Sequence, residues 1–516
     1  MQNIQKLDIQ TNASIESWLD TQSTTINQID INSPNVAGFH FKGGTKIGTI
    51  DIKKEGRMQT MYIRNGNVTI DTLNIEGTLA GWHQYGSINN QGGKINTINV
   101  KQGGKIEQGV RNNNGTIQTL TIQGQVQGGV HNNRNGKINT IAVQRGSIHN
   151  GVRNNNNGTI QTLTISSGTI NGGITNNSRI NNGINITNST INGNITNNGT
   201  NASTGSINIT GASSVSGSIV NQSGANFNNQ ITLDADSKLG GISNNANSTM
   251  GGTLDLKGEV GTISNAGTFN STLTLNNKVR TISNAGTFNS TLTLNNKVGT
   301  IENKQGGTIS NDITINNGGS VEAINNAGTM QNITNSGTLS KITNSGTMKV
   351  ITNNGTVTLT LTNSGGTIDK VTNETSATAT IHNTGTINDK IENKGTATIH
   401  NQGKITKGII NDGGTLTVLN DFRRTEGTKN FQTIGKIGKT ANGVHIENKN
   451  GKLNIPIWYF NKEEYTTQEE AKQHALLVDG DYANISLENA FVSTHNLDVD
   501  ETYDAYSLIA DKDGNP

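Results

Sequence analysis

The sequence contains no cysteine, only three prolines and only 4% aromatic residues among its 516 positions. The absence of cysteine excludes disulfide bonds, thiolate metal sites and a cysteine nucleophile. Hydrophobic residues make up 30%, well below the roughly 45–50% (glycine included) of an ordinary globular domain, so a large conventional core is excluded. Disordered chains combine low hydrophobicity with high net charge or many prolines, whereas the formal charge here is +2. The composition therefore favours a chain that is ordered by repetition.

Charge and hydropathy exclude further classes. No run of 18 apolar residues occurs, so no membrane-spanning helix is predicted. The first residues lack the basic and apolar regions of a secretory signal. With 39 basic and 37 acidic residues, the chain is not predicted to be a dedicated nucleic-acid binder. No cofactor is predicted.

Asparagine, threonine and glycine dominate the sequence, with 81, 70 and 64 residues respectively. Residues 262–279 recur unchanged as residues 281–298, an offset of 19. Over most of the chain, an aliphatic residue is followed two positions later by Asn, and twelve such pairs recur at steps of 19 to 24 residues. The Asn residues of this series are Asn90, Asn112, Asn132, Asn154, Asn176, Asn197, Asn221, Asn244, Asn265, Asn284, Asn303 and Asn326.

A second pattern, Ile-x-Thr-Leu-x-Ile and its variants, interleaves with the first at residues 95–100, 117–122 and 138–143. Short alternating segments rich in Ile, Val and Thr, separated by Asn-Gly or Gly-Gly, are typical of strands. A repeat of about 20 residues with two or three strands matches one coil of a β-helix. The sequence therefore predicts an all-β, parallel β-helix with 19–22 residues per coil.

In such a solenoid, each sequence position forms a column of equivalent residues about 4.8 Å apart. The aliphatic positions are predicted to fill a narrow core without room for aromatic rings. The Asn positions are predicted at corners, where Asn tolerates a left-handed backbone and its amide can bond to the same amide one coil away. Gly109, Gly129, Gly151 and Gly173 precede four of these pairs and permit a tight bend.

Three regions are predicted. Residues 1–45, with Trp18, Phe39 and Phe41, show no clear ladder and are interpreted as an N-terminal cap. Residues 46–420 form the β-helix, with a coil period of about 21 to residue 324 and then a half-coil period of about 9–10. Residues 421–516 hold ten of the 19 aromatic residues and are predicted to be a small α+β C-terminal cap, with a capping box at 467–470 opening a helix through about Leu477.

The Asn/Gly/Thr-rich ladders, the lack of cysteine and the aromatic-rich C-terminal region together resemble passenger domains of type V autotransporters, in particular the vacuolating-cytotoxin-like autotransporters of epsilonproteobacteria. The resemblance implies a right-handed parallel β-helix, exported through an outer-membrane barrel of a longer parent and displayed on or released from the cell surface. Residues 421–516 would then be an autochaperone-like module. No catalytic residue carries over, because the Gly-Asp-Ser-Gly motif of the protease branch is missing.

Basic residues are concentrated in one stretch of the repeat. Arg111, His131 and Arg153 each directly precede the Asn of successive coils, and Arg134, Lys137 and Arg145 lie nearby. Stacking predicts a positive stripe that attracts anionic glycans, lipopolysaccharide or lipid headgroups. The alternative is a solvated corner that discourages lateral aggregation.

Catalytic and metal sites are not predicted. Asp234 and Asp236 are the best acidic cluster of the repeat and are interpreted as a solvated strand end, while Asp511 and Asp513 form only half of a calcium loop. A threonine column is predicted at Thr97, Thr119, Thr140 and Thr162, as in ice-binding solenoids, although ordinary β-propensity explains it equally well.

The leading hypothesis is a non-enzymatic adhesin or stalk located outside the cell. Its expected partners are host or bacterial cell-surface molecules, including anionic glycans, and further copies of the chain. The alternatives are a polysaccharide-cleaving β-helix and an ice-binding or tailspike-like solenoid.

Overall fold

The computed structural model describes residues 2–64, 66–82, 86–424, 431–460, 476–492 and 509–511. The described strands form a parallel β-solenoid of about 20 turns, which confirms the predicted fold class. The helical content of these residues is one 3-10 turn, Tyr482–Asn484, in which the Asp481 side chain accepts the Ala483 N–H. Two compact units divide the chain, Met1–Thr272 and Leu273–Pro516.

In the first unit, the strands form two parallel sheets. The first sheet contains Gln2–Ile9, Thr24–Ile31, Lys46–Ile52, Thr69–Ile75, Lys94–Val100, Thr116–Ile122, Lys137–Gln144, Thr159–Ser166, Arg179–Ile180, Ile184–Thr187, Ser203–Thr204, Ile207–Thr210, Asn226–Phe227, Ile231–Leu233, Thr249–Met250, Leu254–Leu256 and Thr268–Phe269. The second contains Ser14–Ile15, Leu19–Thr21, Asn35–Phe41, Arg57–Arg64, Thr78–Leu79, Ile88–Gln91, Lys105–Ile106, Val110–Asn113, Gln125–Val126, Val130–Asn133, Ser147–Ile148, Val152–Asn154, Thr169–Asn171, Ile174–Asn176, Thr190–Asn192, Ile195–Asn198, Ser214–Gln222, Lys238–Asn244 and Glu259–Asn265.

The second unit has the same construction. One set of strands comprises Leu273–Leu275, Thr287–Phe288, Leu292–Leu294, Thr308–Ile309, Ile313–Ile315, Thr329–Met330, Ile333–Asn335, Thr347–Asn353, Thr367–Asn373, Thr386–Ile387, Ile391–Asn393, Lys404–Ile405, Ile409–Asp412, Lys436–Ile437, Ile446–Lys449, Leu476–Gly480 and Ile509–Ala510. The other comprises Val279–Asn284, Lys297–Asn303, Ser320–Asn326, Thr338–Asn344, Leu359–Asn363, Thr378–Asn383, Thr396–Asn401, Thr415–Asn420, Lys452–Phe460 and Ile485–Val492. Phe422–Arg424 and Phe431–Thr433 form a separate antiparallel pair.

Aliphatic side chains of successive coils fill the interior in register. One column of the first unit is fully buried and runs through Ile50, Leu73, Ile98, Leu120, Ile141 and Leu163. Strand alternation explains this column, because every second residue of a strand faces the same side.

The prediction that aromatic rings would not fit the core is wrong. Phe39, Phe41, Phe227, Phe269 and Phe288 are all fully buried. Phe227 lies in register with Met250 of the next coil, and Met250 with Phe269. Large side chains therefore occupy the same inward position in three successive coils.

The regular ladder extends beyond residues 46–420 on both sides. Gln2–Ile9 pairs in parallel with Thr24–Ile31, which pairs with Lys46–Ile52, so residues before 46 form coils rather than a segment outside the repeat. The aliphatic-x-Asn pattern does not identify these coils, because Phe39 and Phe41 occupy the positions that the aliphatic residue and the Asn occupy in later coils. After residue 420, Ile446–Lys449 and Leu476–Gly480 continue the parallel pairing.

The predicted helix of the C-terminal region lies mostly outside the described residues, since 461–475 are not among them. Its predicted end at Leu477 is wrong, because Leu476–Gly480 is a strand. Leu476 and Val478 of that strand are buried.

Candidate binding surface

Buried Asn side chains form hydrogen-bonded ladders inside both units. In each ladder, the Nδ2 atom of one Asn donates to the Oδ1 atom of the Asn in the next coil. The first unit has an inner ladder from Asn90 to Asn265 with N···O distances of 2.8 to 3.5 Å, through Asn112, Asn132, Asn154, Asn176, Asn197, Asn221 and Asn244. The predicted Asn residues of this unit therefore contact one another in sequence order.

The second unit has two such ladders, as the halved period predicts. One joins Asn284, Asn303, Asn326, Asn344, Asn363, Asn383, Asn401 and Asn420 at 2.8 to 2.9 Å. The other joins Asn335, Asn353, Asn373, Asn393, Asn411 and Asn448 at 2.7 to 3.0 Å.

Several inner Asn residues, including Asn90, Asn112 and Asn132, also donate a hydrogen bond to the turn that follows them. The Nδ2 atom of Asn132 donates to the Gly136 carbonyl oxygen at 2.9 Å and to the Thr159 carbonyl oxygen at 3.1 Å. The prediction that these Asn residues occupy a left-handed corner is wrong: Asn132 lies within the strand Val130–Asn133, and the positive φ angles belong to Arg134 (+49°) and Asn135 (+61°). Alternation places Asn132 on the same inward face as Val130, which is why Asn follows an aliphatic residue by two.

A second row of amides lies outside the inner ladder of the first unit. In this outer ladder, Asn133 donates to Asn113 (3.2 Å), Asn155 to Asn133 (3.0 Å) and Asn198 to Asn177 (2.6 Å), and Asn177 also donates to Asn155. The donor here belongs to the higher-numbered coil, which is the reverse of the inner ladder.

Three of the predicted basic residues form a true column. Arg111 lies in register with His131, and His131 with Arg153, on adjacent strands of the second sheet. Arg153 is exposed, whereas Arg111 and His131 are half-buried. We call Arg111, His131 and Arg153 the basic column.

The other three predicted residues lie away from this column. Arg134 and Arg145 occupy turns with φ angles of +49° and +63°. Lys137 is exposed at the start of Lys137–Gln144 in the first sheet. The sequence pattern missed this separation because residues close in sequence fall on different faces of a coil.

His131 is held in its neutral form. Burial lowers the pKa of its imidazole below the usual 6.5, and the neighbouring charges of Arg111 and Arg153 lower the pKa further. The His131 Nε2 atom lies 3.3 Å from the Gly128 carbonyl oxygen. At neutral pH the basic column therefore carries two positive charges, on its two arginines.

Acidification is expected to charge His131 at a cost in stability. Its folded pKa is depressed, so the unfolded chain takes up the proton first as the pH falls from about 7 towards 5, and the free energy of unfolding decreases over that range. An NMR titration of the His131 resonance checks the depressed pKa. In His131→Asn this contribution should vanish; a His131 pKa at or above the ordinary value would contradict the assignment.

The predicted threonine column exists and is longer than expected. Thr49, Thr72, Thr97, Thr119, Thr140 and Thr162 lie in register on the first sheet. The column two residues further along each strand contains several residue types: Asp51, Asn74, Asn99, Thr121, Ala142 and Thr164. Ice binding stays a prediction.

Three aspartates form an acidic column that the repeat pattern does not indicate. Asp8, Asp30 and Asp51 are in register on successive coils. Lys6 lies 2.7 Å from Asp30 and Lys53 lies 2.9 Å from Asp51. Burial opposes ionisation of Asp30, yet hydrogen bonds from Lys6 and Gln28 hold the pKa of this carboxyl below its ordinary value. The repulsion between stacked carboxylates is thus offset by cations supplied from the same face.

The acidic pair predicted as a strand end lies directly after a strand, with Asp236 in the turn that follows. Asp234 and Asp236 follow Ile231–Leu233, and the Asp234 carboxylate accepts the Gly211 N–H. Asp513 of the predicted half calcium loop is outside the described residues. Within the described ranges, no group of three or more His, Asp or Glu residues is arranged to hold a metal ion.

An aromatic cleft lies near the start of the first unit. It has a volume of about 370 Å³ and is lined by Trp18, Asp20, His40, Tyr62 and Trp82. Trp18 meets Trp82 edge to face, with centroids 5.4 Å apart and planes at 90°, and meets Tyr62 at 6.4 Å and 78°. The cleft is at the lower end of the roughly 300–1,000 Å³ of ligand sites.

The cleft belongs to the same strand column as the basic residues. Asp20, His40 and Tyr62 are in register, Tyr62 pairs with Asn89, and Asn89 pairs with Arg111. The sequence places Trp18 in the predicted N-terminal cap. The available signal was the spacing of Asp20, His40 and Tyr62, which are 20 and 22 positions apart and so match the coil length.

Ionic contacts organise the polar side of the cleft. The Asp20 carboxylate lies 3.0 Å from His40 Nδ1 and 2.9 Å from Lys42 Nζ. The hydrogen bond from Lys42 holds the pKa of Asp20 below its ordinary value. Burial lowers the pKa of His40 despite the opposing effect of Asp20, and Arg64 lowers it further. His40 is therefore neutral at pH 7, and the cleft has more cationic than anionic neighbours.

Comparisons with known proteins do not assign this chain to a family. No protein-family model matches this sequence, and no curated protein is significantly similar to it. In the part of the chain that the structure describes, no helix is long and apolar enough to cross a membrane.

Proposed function

We propose that this chain is an extracellular β-helical passenger, displayed on or released from a bacterial surface, that acts as a non-enzymatic adhesin or stalk. The observation that carries the proposal is the basic column, which places the cationic Arg111 and Arg153 on one sheet with His131 between them. Two positive charges about 10 Å apart along the stacked coils, on Arg111 and Arg153, match a repeating anionic polymer better than a small substrate. Anionic cell-surface glycans are the proposed partners.

The solenoid architecture supports this role. Each coil contacts mainly its neighbours, so the fold can be extended by adding coils and can present long, shallow faces. Ladders of buried amides and aliphatic columns hold these faces in register. Binding spread over several coils requires such a regular support.

Charge reversal in the basic column tests the proposal. We expect Arg111→Glu/Arg153→Glu to weaken binding to an acidic glycan by about tenfold or more at low ionic strength, because two attractive contacts become repulsive. The effect should shrink as salt is raised, since exposed charges are screened. Glycan-array binding and calorimetry measure both.

The matched control is Arg134→Glu/Arg145→Glu, which reverses two charges in turns away from the column. Equal losses in the two double variants would show that only net charge matters and would overturn the assignment to the column. Release of new reducing ends from the same glycans would contradict the non-enzymatic role.

A further inference from the structure

The aromatic cleft offers ring surface to a ligand with an apolar face. Trp18 stands nearly perpendicular to both Trp82 and Tyr62, so these rings do not cover one another as a parallel stack would. Trp82 is 42% exposed. The electron-rich faces of aromatic rings attract the slightly positive C–H groups of a partner. A sugar ring presents such C–H groups on its face and hydroxyl groups around its rim.

The charges around the cleft argue against a cationic guest. An aromatic cage with a carboxylate commonly binds a quaternary ammonium group. Here the Asp20 carboxylate already pairs with Lys42 at 2.9 Å. The positive charge of Arg64 also reaches the cleft, where it lowers the pKa of His40. The surplus of positive charge instead favours a ligand that carries acidic groups.

Arg111 is placed to receive such an acidic group. It lies two coils from Tyr62 through Asn89, roughly 10 Å at the usual spacing. Its side chain also passes close to the Trp82 segment: a Cβ atom at Gly86 would lie 3.2 Å from Arg111 Cγ, and the Gly86 N–H donates to the Trp82 carbonyl oxygen at 2.9 Å. The cleft and the basic column therefore adjoin.

One polar atom of the cleft has no hydrogen-bond partner among the residues that the structure describes. The Nε2 atom of His40 is buried and makes no hydrogen bond with any described residue, while Nδ1 is engaged by Asp20. A buried polar atom left unpaired costs about 1–3 kcal/mol. A ligand hydroxyl group at this ring would remove that cost.

We infer that the cleft of Trp18, Asp20, His40, Tyr62 and Trp82 binds one sugar ring of a carboxylated oligosaccharide, whose next acidic groups pair with Arg111 and the basic column. This inference rests on the proposed function and names its ligand class. The Trp and Tyr rings stack on the sugar, Asp20 and His40 bond to its hydroxyl groups, and the arginines bind its carboxylates. The aromatic cleft sets which glycan is bound, and the basic column adds charge-dependent affinity.

Tryptophan fluorescence of the full chain can locate the ligand. The chain has three tryptophans, so in Trp458→Phe the two remaining emitters both line the cleft. We expect a hexuronic acid tetramer to change this fluorescence saturably, and its uncharged methyl ester to bind about tenfold more weakly. Calorimetry should give the same affinity for Trp458→Phe as for the unaltered chain.

Substitutions separate this inference from the proposed function. Trp82→Ala, at an exposed position, should weaken tetramer binding at least tenfold with an unchanged circular dichroism spectrum, and Tyr62→Phe should retain most of the affinity because the ring remains. If Trp18→Ala and Trp82→Ala leave the affinity unchanged while Arg153→Glu lowers it, the inference is overturned and the proposed function stands. If Arg153→Glu has no effect and Trp82→Ala abolishes binding, the cleft stands and the role of the column is overturned.

Discussion

Replacing Asn132 by Asp is expected to lower the free energy of unfolding by about 3 kcal/mol or more at neutral pH. Asn132 is fully buried, accepts from Asn112, and donates to Asn154 at 2.9 Å and to the Gly136 carbonyl oxygen at 2.9 Å. A carboxylate has no proton to donate, so the acceptor oxygens of Asn154, Gly136 and Thr159 would all face it across normal hydrogen-bond distances. Denaturant unfolding followed by circular dichroism measures the loss.

The neighbouring residue provides the control. Asn133 lies on the same strand, is half-buried and donates only to Asn113 at 3.2 Å among the described residues, so Asn133→Asp should cost about 1 kcal/mol or less. Acidification should restore part of the stability of Asn132→Asp, because the protonated acid regains one donor. Equal effects of the two substitutions would show that the inner ladder contributes no more than the surface.

Truncation of Phe227 to Ala is expected to cost about 3–5 kcal/mol, because the cavity it leaves cannot be closed by a backbone held in register on both sides. Phe227 is 1% exposed and aligns with Met250, which is fully buried. Because solenoid coils contact mainly their neighbours, hydrogen exchange should accelerate first in peptides covering residues 226–256.

Asn226→Ala is the matched control, since Asn226 is the exposed neighbour on the same two-residue strand. Its effect should stay within about 0.5 kcal/mol. A loss below about 1 kcal/mol for Phe227→Ala would contradict the packing of Phe227 in the core. Uniform acceleration of exchange along the whole chain would contradict a local response.

Much of the fold was predictable from one local pattern. In Val130-His131-Asn132, alternation dictates that Val130 and Asn132 face inward and His131 faces outward, and the observed strand has this arrangement. The repeat length then aligns each Asn with the next, because parallel coils of similar length bring equivalent positions together. The same logic correctly aligned Arg111, His131 and Arg153.

The remaining errors come from positions where the repeat tolerates other residues. Phe39 and Phe41 fill inward positions that Ile or Asn fill elsewhere, so the aliphatic-x-Asn pattern does not reveal the coils before residue 46. Asp8, Asp30 and Asp51 are separated by about one coil each, and their pairing becomes visible only once these coils are aligned. Trp82 reaches the cleft from a loop rather than from a strand column, and no periodic rule places such a residue.

The opposite directions of the two amide ladders in the first unit have an electrostatic consequence. A row of amides that all point the same way adds its dipoles, as the peptide groups of a helix do. The inner ladder points its Nδ2 atoms towards higher-numbered coils, and the outer ladder points them towards lower-numbered coils. In the first unit, the dipoles of the two amide rows therefore oppose one another, and the partial charge that one row places at its end is offset by the other.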